Sequence, residues 1–567
     1  MTEFTIDHKR KKVYTKALGR ALFSKPRWNK DSAFTSDERA TFQLQGLMPQ
    51  KIETLSEQIQ KTYQQYQNFD TDISKNIFLN ALHDRNETLF YNLVVKYLSE
   101  MLPIIYTPTI GDAVKSFSKQ YRRNRGIYLN YSQLDEIPKI ISDHITSEIK
   151  MVIITDGEGV LGIGDWGIGG MDIAIGKLMV YIAISNINPS TVLPICLDVG
   201  TNNPDLINDP HYMGVKSPRI REEAYFSFVD VVINNLKAVN PDLFIHFEDF
   251  GRTNARRILN RYNEQHCTFN DDIQGTGLIT LATIMSASQK TGRPFKDQTF
   301  VILGPGSAGL GIADTLKQAL MFEGLSEKQA IEKIFLVGKY GLISAKHNIK
   351  YPDQKIYART ESKYNQSHSF SLLETIENVK PSVLIGCSGA FGAFNEKIIK
   401  TMYAYEKRPI IMPLSNPISC CEVMPEDAIK WTNGHVLIAT GSPFKDVNYN
   451  DTIYNIAQCN NAYIFPGLGQ GIIISAAKRL TPQMLLTASQ TLSKVWNDIK
   501  HTHNSDDLLP PINEHYQAIS YEIAKAVALQ AIKDNVSDLK PDDLEAQFKS
   551  ISWDFDYYHF SSMLPKE

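Results

Sequence analysis

A glycine-rich motif, GPGSAG at residues 304–309, constrains the fold of this chain more than any other feature of its sequence. An apolar run at residues 299–303 precedes the motif and predicts a strand, and a helical pattern follows it to about residue 322. A second apolar run, at residues 333–337, predicts the next strand. This order of strand, glycine-rich turn, helix and strand predicts a Rossmann-type unit that binds a dinucleotide.

The glycines have separate roles in such a turn. The first permits a tight turn, the second lets the backbone approach a pyrophosphate, and the third lets the helix pack closely on the strand. The helix N-terminus adds unpaired N–H groups and the positive end of its dipole. The candidate dinucleotide-binding residues are therefore Gly304, Gly306, Ser307, Ala308 and Gly309.

Three later strand candidates, at residues 383–385, 409–414 and 436–439, end in the small or polar clusters GCSG, SNP and TGSP. Open parallel sheets bind ligands at the carboxyl ends of their strands, so these clusters suit a dinucleotide lying across the sheet. Gly338 stands where an acid usually accepts hydrogen bonds from the ribose, and Lys339 follows it. We expect NAD as the cofactor, although nothing at this position discriminates against NADP.

The length of 567 residues exceeds what one hydrophobic core supports and predicts two or three domains. Helical patterns dominate the first 130 residues, and from residue 151 short apolar runs alternate with helical patterns. We expect an α/β fold: a Rossmann-type domain, an α/β substrate and metal domain, and a helical N-terminal region. The expected boundaries are 1–82 for the N-terminal arm and helices, 83–270 for the substrate domain, 271–535 for the Rossmann-type domain and 536–567 for a tail.

Composition excludes several classes of protein. A net charge of −3 lacks the basic character typical of nucleic-acid-binding proteins. A long uncharged run, residues 178–197, contains asparagines and prolines, so it predicts a buried helix, a turn and a buried strand and not a membrane span. The six cysteines form no C-x-x-C pair, which argues against zinc and is typical of reduced thiols.

The N-terminus is strongly basic. Nine lysines and arginines, and no acid, lie between His8 and Lys30. A mitochondrial presequence has this composition, and so does a solvated, poorly ordered arm; Glu3 and Asp7 weaken the first interpretation. We expect a disordered arm and a cytoplasmic location, with the mitochondrial matrix as the alternative.

Two acidic motifs predict a metal site. FEDF at residues 247–250 ends an apolar strand, and FNDDI at residues 269–273 opens the next helical segment. Four converging carboxylates repel one another and need a cation, for which all-oxygen ligands select Mg²⁺ or Mn²⁺. The two acids of FEDF share an ion only if the strand breaks, which Gly251 allows. The alternative is that the Asp-Asp pair only caps a helix.

Further motifs resemble those of malic enzymes and occur in the same order. They are IYTPT at 105–109, GDWGIGG at 164–170, GKL at 176–178, DVGTNN at 198–203, PLSNP at 413–417 and QCNN at 458–461, together with the two acidic motifs. The resemblance extends from about residue 34 to about residue 530. It implies an enzyme that oxidises malate and decarboxylates it to pyruvate with NAD and Mg²⁺ or Mn²⁺. It also implies a small-molecule substrate, no nucleic-acid or membrane partner, and a homodimer or homotetramer.

The resemblance also implies roles for the matched residues. Lys177 would be the general base, assisted by Asp271, and Tyr106 the general acid. A lysine can act as a base only if its surroundings lower its pKa from about 10.4 toward 7–8. The implied metal ligands are Glu248, Asp249 and Asp272, and the implied contacts of the substrate or nicotinamide are Asn416 and Asn461, with Asn460 a weaker candidate.

One position departs from the malic enzyme pattern. Those enzymes commonly carry a substrate-binding arginine where this chain has Gly159, and Arg252, Arg256 and Arg257 are the candidates for a replacement charge. Malolactic enzymes of the same superfamily resemble the chain here; they convert malate to lactate and CO₂ with bound NAD and Mn²⁺. Oxidative decarboxylation is the expected function and malolactic conversion the alternative. A catalytically inactive dinucleotide sensor is disfavoured because the implied base, acid and metal ligands are all present.

Overall fold

The computed structural model describes residues 4–7, 9–121, 123–160, 162–346, 349–364, 369–500, 507–511 and 515–563. Two sheets of mainly parallel strands form its centre, and apolar clusters cover both faces of each sheet. The predicted α/β class is confirmed, with one Rossmann-type sheet, a second α/β unit and a helical N-terminal region.

The basic N-terminal segment belongs to the folded protein. Its second strand pairs antiparallel with the first and parallel with a C-terminal strand, His559–Ser562. Lys30 is 4% exposed and its ammonium lies 2.6 Å from the Glu38 carboxylate. The expectation of a poorly ordered arm was therefore wrong, because the C-terminus supplies a pairing partner. The elements of this region are β1 (Phe4–Asp7), β2 (Lys12–Thr15), α1 (Ser36–Thr41), α2 (Leu55–Gln67), α3 (Asp72–Arg85), α4 (Glu87–Lys96), α5 (Leu98–Ile105) and α6 (Ile110–Gln120).

The first α/β unit contains a five-stranded, wholly parallel sheet in the order β3-β5-β4-β6-β7. Its strands read as short apolar runs because both faces are buried. Because β4, β5 and β6 are parallel, their carboxyl ends lie at the same edge of the sheet. The elements are β3 (Ile127–Asn130), α7 (Ile137–His144), β4 (Met151–Thr155), α8 (Met171–Ser185), β5 (Val192–Asp198), α9 (Pro204–Asn208), α10 (Glu222–Val239), β6 (Phe244–Glu248), α11 (Arg252–Tyr262) and β7 (Thr268–Asn270).

Helix α8 is apolar on almost every side and is the central helix of this unit. Within the described part of the chain, one helical stretch, Gly167–Ser185, is long and apolar enough to cross a membrane, and nearly all of it is buried inside the protein. The uncharged run at residues 178–197 forms the end of α8, a turn and strand β5, as predicted.

The second α/β unit contains a seven-stranded sheet in the order β10-β9-β8-β11-β12-β13-β16. The short edge strand β10 runs antiparallel to β9, and the other pairs are parallel. All six cysteines lie among the described residues, and none forms a disulfide. The elements are α12 (Thr276–Thr291), β8 (Phe300–Leu303), α13 (Ser307–Phe322), α14 (Glu327–Glu332), β9 (Ile334–Gly338), β10 (Gly341–Leu342), α15 (Leu372–Val379), β11 (Val383–Gly386), α16 (Glu396–Tyr405), β12 (Ile410–Pro413), α17 (Pro425–Trp431), β13 (Leu437–Thr440), β14 (Val447–Tyr449), β15 (Thr452–Tyr454), β16 (Ala457–Gln458), α18 (Phe465–Ser475) and α19 (Pro482–Lys500).

The two units meet closely around a single π-helical turn, Asp271–Gly275, which connects β7 to α12. A Cβ at Gly311 of α13 would lie 2.2 Å from the carbonyl oxygen of Ile273. Helix α13, which follows the glycine-rich loop, therefore packs directly against this turn. Helix α18 and the C-terminal helix α20 (His515–Lys533) both pack against α8. The C-terminal elements are α20 (His515–Lys533), α21 (Leu544–Ile551) and β17 (His559–Ser562).

Candidate active site

Lys177 lies on α8 at the centre of the molecule, and its side chain is completely buried. The residue before it, Gly176, lets α8 approach the end of α5: a Cβ there would lie 2.8 Å from the Ile105 carbonyl oxygen. This close contact brings Tyr106, which follows α5, beside Lys177. The Lys177 ammonium lies 5.7 Å from the centre of the Tyr106 ring.

Two carboxylates hold the Lys177 ammonium. Its nitrogen lies 2.6 Å from Asp271 Oδ2 and 2.5 Å from Glu248 Oε2. Burial alone lowers the pKa of Lys177, but the charges of Asp271 and Glu248 outweigh burial and raise the pKa well above its ordinary value. The lowered pKa that a general base requires is therefore absent from this arrangement, in which both carboxylates contact the lysine.

Tyr106 is only 5% exposed, and its ring lies beside the buried Lys177 ammonium. Burial raises the pKa of the Tyr106 phenol well above its ordinary value, and the charge of Lys177 partly opposes this rise. The phenol therefore stays protonated at neutral pH. The Phe465 ring covers the pair, with its centre 4.9 Å from the Lys177 ammonium, and makes the surroundings apolar.

The predicted metal ligands lie together beside this lysine. Glu248, Asp249 and Asp272 each offer a carboxylate oxygen, and the three oxygens lie within 4.8 Å of one another. The Asp249 backbone N–H also donates to Asp272 Oδ2 at 2.9 Å, and this hydrogen bond holds the Asp272 carboxylate beside Asp249. Glu248 thus belongs to two groups at once, since it contacts Lys177 and also faces the two aspartates.

The strand breaks where a shared ion requires it. Strand β6 ends at Glu248, and Asp249 adopts a left-handed backbone with φ of +54°. This turn brings two neighbouring carboxylates to the same side, so the break that a shared ion requires occurs at Asp249, two residues before Gly251. Gly251 instead makes room for Glu158, whose carboxylate oxygen lies 2.1 Å from where a Cβ would stand.

The Asp-Asp pair does not merely cap a helix. The side chain of Asn270 accepts the hydrogen bond from the Ile273 N–H and so caps the π-helical turn. Asp271 and Asp272 are consequently available for Lys177 and for the carboxylate cluster. The alternative interpretation of this motif, helix capping alone, is therefore wrong.

The carboxylate cluster fits a hard divalent cation. Its donors are all oxygen, which Mg²⁺ and Mn²⁺ prefer. Desolvation, followed by the charge of Glu248, raises the pKa of Asp272 above its ordinary value, and desolvation also raises the pKa of Glu248. Raised pKa values in neighbouring carboxyls mean that their negative charges lack sufficient compensation, which a cation would supply.

His246 is a residue of this site that the sequence analysis missed. Its Nε2 lies 3.0 Å from Glu248 Oε2, and its Nδ1 lies 2.9 Å from the Tyr181 hydroxyl. Burial, followed by the charge of Lys177, lowers the pKa of His246 well below its ordinary value, so the ring is neutral. The neutral ring donates from Nε2 to the carboxylate and accepts from Tyr181. Its position two residues before Glu248 on one strand was the available signal.

The glycine-rich motif has the geometry that was predicted. Gly304 follows β8 with φ of +97°, Gly306 precedes α13, and Ser307, Ala308 and Gly309 form the first turn of α13. The helix N-terminus therefore points toward the loop, with its first N–H groups available for an anion.

The predicted polar clusters lie at the neighbouring carboxyl ends of β11, β12 and β13. Asn416 accepts a hydrogen bond from the Ser442 hydroxyl at 2.5 Å. Glu422, which the sequence did not single out, is fully buried and accepts from Ser388 N–H at 2.8 Å and from the Ser415 hydroxyl at 2.6 Å. Glu422 thus joins two of these strand ends.

Asn461 and Asn460 differ in their contacts. Asn461 Nδ2 donates to Asp271 Oδ2 at 2.8 Å, so the structure brings Asn461 to the lysine cluster. Asn460 caps its own helical turn by accepting from the Ala462 N–H at 3.0 Å. Asn416 lies at the sheet edge instead, where its side-chain oxygen accepts from the Ser442 hydroxyl.

Gly159 packs against the turn that carries the metal-ligand candidates. Its N–H donates to the Asp249 carbonyl at 2.9 Å, and a Cβ would lie 2.6 Å from the Phe250 carbonyl oxygen. The three arginines that could replace the missing charge make contacts elsewhere. Arg252 contacts the Pro305 carbonyl, Arg256 pairs with Asp314, and Arg257 pairs with Glu222.

Comparison with known proteins places these residues in a family context. Residues 83–263 match the family "Malic enzyme, N-terminal domain", and residues 273–532 match "Malic enzyme, NAD binding domain". The NAD-dependent malic enzyme of Proteus mirabilis is 45% identical over 97% of this chain and 98% of its own length. That of Acinetobacter baylyi is 46% identical over 93% of each chain.

Solved structures share the fold at lower identity. The malic enzyme of Entamoeba histolytica is 22% identical, with a TM-score of 0.55 over 90% of this chain and 92% of that chain. The malic enzyme of Pyrococcus horikoshii is 21% identical, with a TM-score of 0.53 over 80% of this chain and 88% of that chain.

Proposed function

This chain belongs to the malic enzyme family, and from that premise we propose that it catalyses the NAD-dependent oxidative decarboxylation of malate to pyruvate. The observation that supports this most directly is the buried Lys177, held between Glu248 and Asp271 and adjacent to both Tyr106 and a carboxylate cluster that fits a divalent cation. Relatives at 45–46% identity carry the name NAD-dependent malic enzyme.

The proposed reaction converts malate and NAD⁺ to pyruvate, CO₂ and NADH. Hydride passes from malate C2 to the nicotinamide, and the C2 hydroxyl loses its proton to a base. The C4 carboxylate then leaves as CO₂, and the C3 carbon of the remaining enolate takes up a proton. One proton is removed and one is returned, so a base and an acid that lie side by side suffice.

Lys177 is the proposed base and Tyr106 the proposed acid. Because Glu248 faces both the lysine and the metal-ligand candidates, its charge need not stay with the lysine. If Glu248 held a cation, its charge would raise the pKa of Lys177 less, and the opposing effect of burial would then bring that pKa down toward the range of a base. Asp271 remains in contact and orients the ammonium. The protonated Tyr106 phenol lies within reach to return a proton.

Glu248, Asp249 and Asp272 are the proposed ligands of Mg²⁺ or Mn²⁺. A divalent ion there supplies Lewis-acid stabilisation of the negative charge on the substrate oxygens. Hydrogen bonds orient these ligands: the His246 ring donates to Glu248, and the Asp249 backbone N–H donates to Asp272. Asn461 is proposed to act beside Asp271, and Asn416 at the nicotinamide end of the cofactor.

NAD is the proposed cofactor, bound by Gly304, Gly306, Ser307, Ala308 and Gly309. The helix N-terminus after this loop suits the diphosphate. Because β9 ends at Gly338, this strand end carries no carboxylate that would discriminate against NADP. A spectrophotometric assay with NAD and NADP in parallel measures the preference.

Malolactic conversion is the second candidate, and one observation favours it. Gly159 provides no charge and has no space for a side chain, and Arg252, Arg256 and Arg257 make contacts elsewhere. Incubation of the purified protein with malate, Mn²⁺ and excess NAD separates the two functions. Stoichiometric NADH with pyruvate supports oxidative decarboxylation, whereas lactate without NADH supports the malolactic reaction.

We propose that the domain division follows the two sheets, with residues 83–270 for substrate and metal and residues 271–535 for the dinucleotide. Residues 1–82 and 536–567 lie outside them, and strands from both ends pair with each other. A homodimer or homotetramer and a cytoplasmic location complete the proposal. Light scattering after size-exclusion chromatography measures the oligomeric state.

A further inference from the structure

Helix α11 carries four arginines that fall into two groups. Arg256 pairs with Asp314, Arg257 with Glu222, and Arg261 with Asp230. Among the residues that the structure describes, no carboxylate pairs with Arg252. This guanidinium is therefore the one on α11 whose charge has no opposite charge beside it.

Arg252 reaches from the first α/β unit across to the glycine-rich loop of the second. Its Nη2 donates to the Pro305 carbonyl at 2.7 Å. Its central carbon lies 3.5 Å, and its two terminal nitrogens 3.6 and 3.7 Å, from where a Cβ of Gly306 would stand. Three nearly equal distances mean that the flat face of the guanidinium covers Gly306, which is the glycine that a pyrophosphate approaches.

The position of Arg252 is fixed by more than one contact. The Tyr351 ring lies on the guanidinium, with its centre 4.2 Å from the central carbon. The Pro305 carbonyl that accepts from Arg252 also accepts from Gln354 Nε2 at 3.0 Å. An aromatic face, a carbonyl and a glycine thus hold an exposed guanidinium in place, and that hydrogen bond occupies only one of its five N–H donors.

We infer that Arg252 binds the diphosphate of the dinucleotide, as a cation supplied by the metal-binding unit to a cofactor held by the other unit. This inference rests on the dinucleotide site in the proposed function and adds the residue that neutralises the cofactor's phosphate charge. The loop itself offers backbone N–H groups, the Ser307 hydroxyl and a helix dipole, none of which is a full positive charge, whereas guanidinium groups match phosphate oxygens in pairs.

The inference also explains the direction of this side chain. A substrate-binding arginine would have to face the Lys177 cluster, but Arg252 lies over the loop between β8 and α13. It begins the helix that follows the Asp249 turn, so one short segment carries a proposed metal ligand and the proposed phosphate cation.

The test compares Arg252→Gln with Arg257→Gln, which removes an exposed arginine of the same helix that pairs with Glu222. Both purified full-length variants are titrated with NADH by fluorescence, and ADP-ribose and adenosine are measured as competitors. We expect Arg252→Gln to weaken NADH and ADP-ribose by about 10- to 100-fold, the range for losing a hydrogen bond to a charged group. Adenosine, which has no phosphate, should bind equally to all forms, and Arg257→Gln should match the wild type.

Each outcome decides a separate question. Wild-type affinity for ADP-ribose in Arg252→Gln overturns the inference, and so does an equal loss for adenosine, which would indicate a general disturbance of the site. Failure of the wild-type protein to bind NADH contradicts the proposed function instead. Arg252→Lys, which keeps the charge, should recover part of the affinity, and thermal unfolding of each variant verifies that it is folded.

Discussion

The carboxyl edges of the two sheets carry different kinds of polar group: charged side chains at one edge, and mainly backbone and neutral polar groups at the other. At the edge of the five-stranded sheet, Lys177, Glu248 and Asp271 form a fully buried ionic cluster that continues into further carboxylates. At the edge of the seven-stranded sheet, the loop after β8 offers backbone N–H groups, and its neighbours offer hydroxyls and amides. The buried Glu422 carboxylate at this edge accepts hydrogen bonds from neutral donors, so we call it the neutral edge.

The charged edge is suited to acting on reacting atoms, and the other edge is suited to binding a large ligand. Buried charges act on reacting atoms with little screening, but each depends on the others, because removing one leaves the rest uncompensated. Backbone groups at the other edge bind a large ligand through many small contacts, and each can be changed with a limited effect. Substitutions in the ionic edge should therefore have large effects, and substitutions in the neutral edge small ones.

Removing the lysine should cause the largest loss. Lys177→Ala deletes the proposed base and leaves Glu248 and Asp271 buried without their ammonium partner. We expect kcat to fall by about 10²–10⁴-fold, the usual contribution of a general base, with NADH affinity nearly unchanged. Steady-state assays and NADH titration measure the two. Wild-type turnover in this variant would contradict the base assignment, and a parallel loss of NADH binding would show that the two edges are not independent.

Removing one oxygen ligand should be the next largest effect. Asp272→Asn keeps the shape of the side chain but removes its charge from the cluster with Glu248 and Asp249. We expect the Mn²⁺ concentration for half-maximal activity to rise by about 10- to 100-fold. Asp230→Asn, whose carboxylate pairs with Arg261 at the surface, is the matched control. An unchanged Mn²⁺ titration in Asp272→Asn would rule out ligation by this residue.

The ionic edge should also make stability depend on pH and metal. Desolvation raises the pKa of Glu248 to about 7 and that of Asp272 to about 8. A carboxyl with a raised pKa binds its proton more tightly in the folded protein, so the metal-free protein loses stability as pH rises from about 4 through these values. A cation competes with those protons, so its stabilising effect should grow over the same range.

Thermal unfolding tests this linkage. With saturating Mn²⁺ we expect the Tm to rise by about 5 °C near pH 8 and by less than half of that near pH 5.5. Asp272→Asn should show little rise at either pH. An equal Mn²⁺ effect at both pH values would contradict the proposed competition between cation and protons.

Strand positions at both edges could be predicted, because each strand is an apolar run that ends in turn residues. The run at 299–303 became Phe300–Leu303, and the run at 151–155 became Met151–Thr155. The environment of Lys177 could not be predicted, since its two carboxylate partners lie 71 and 94 residues away. The pairing of β2 with β17 and the direction of Arg252 likewise depend on packing between distant segments.

The smallest expected effect lies at the neutral edge, where Gly338 ends β9. A Cβ there would have its nearest neighbours at 3.7 Å, in Ile343 and Pro305, so Gly338→Asp fits without displacing backbone. The new carboxylate would accept hydrogen bonds from a ribose and repel a 2′-phosphate, so the NAD to NADP ratio of kcat/KM should rise by about tenfold or less. Gly338→Asn, which is similar in size but neutral, separates charge from bulk. A ratio that stays constant in both variants would show that the ribose lies away from β9, whereas a change confined to the aspartate variant would locate it there.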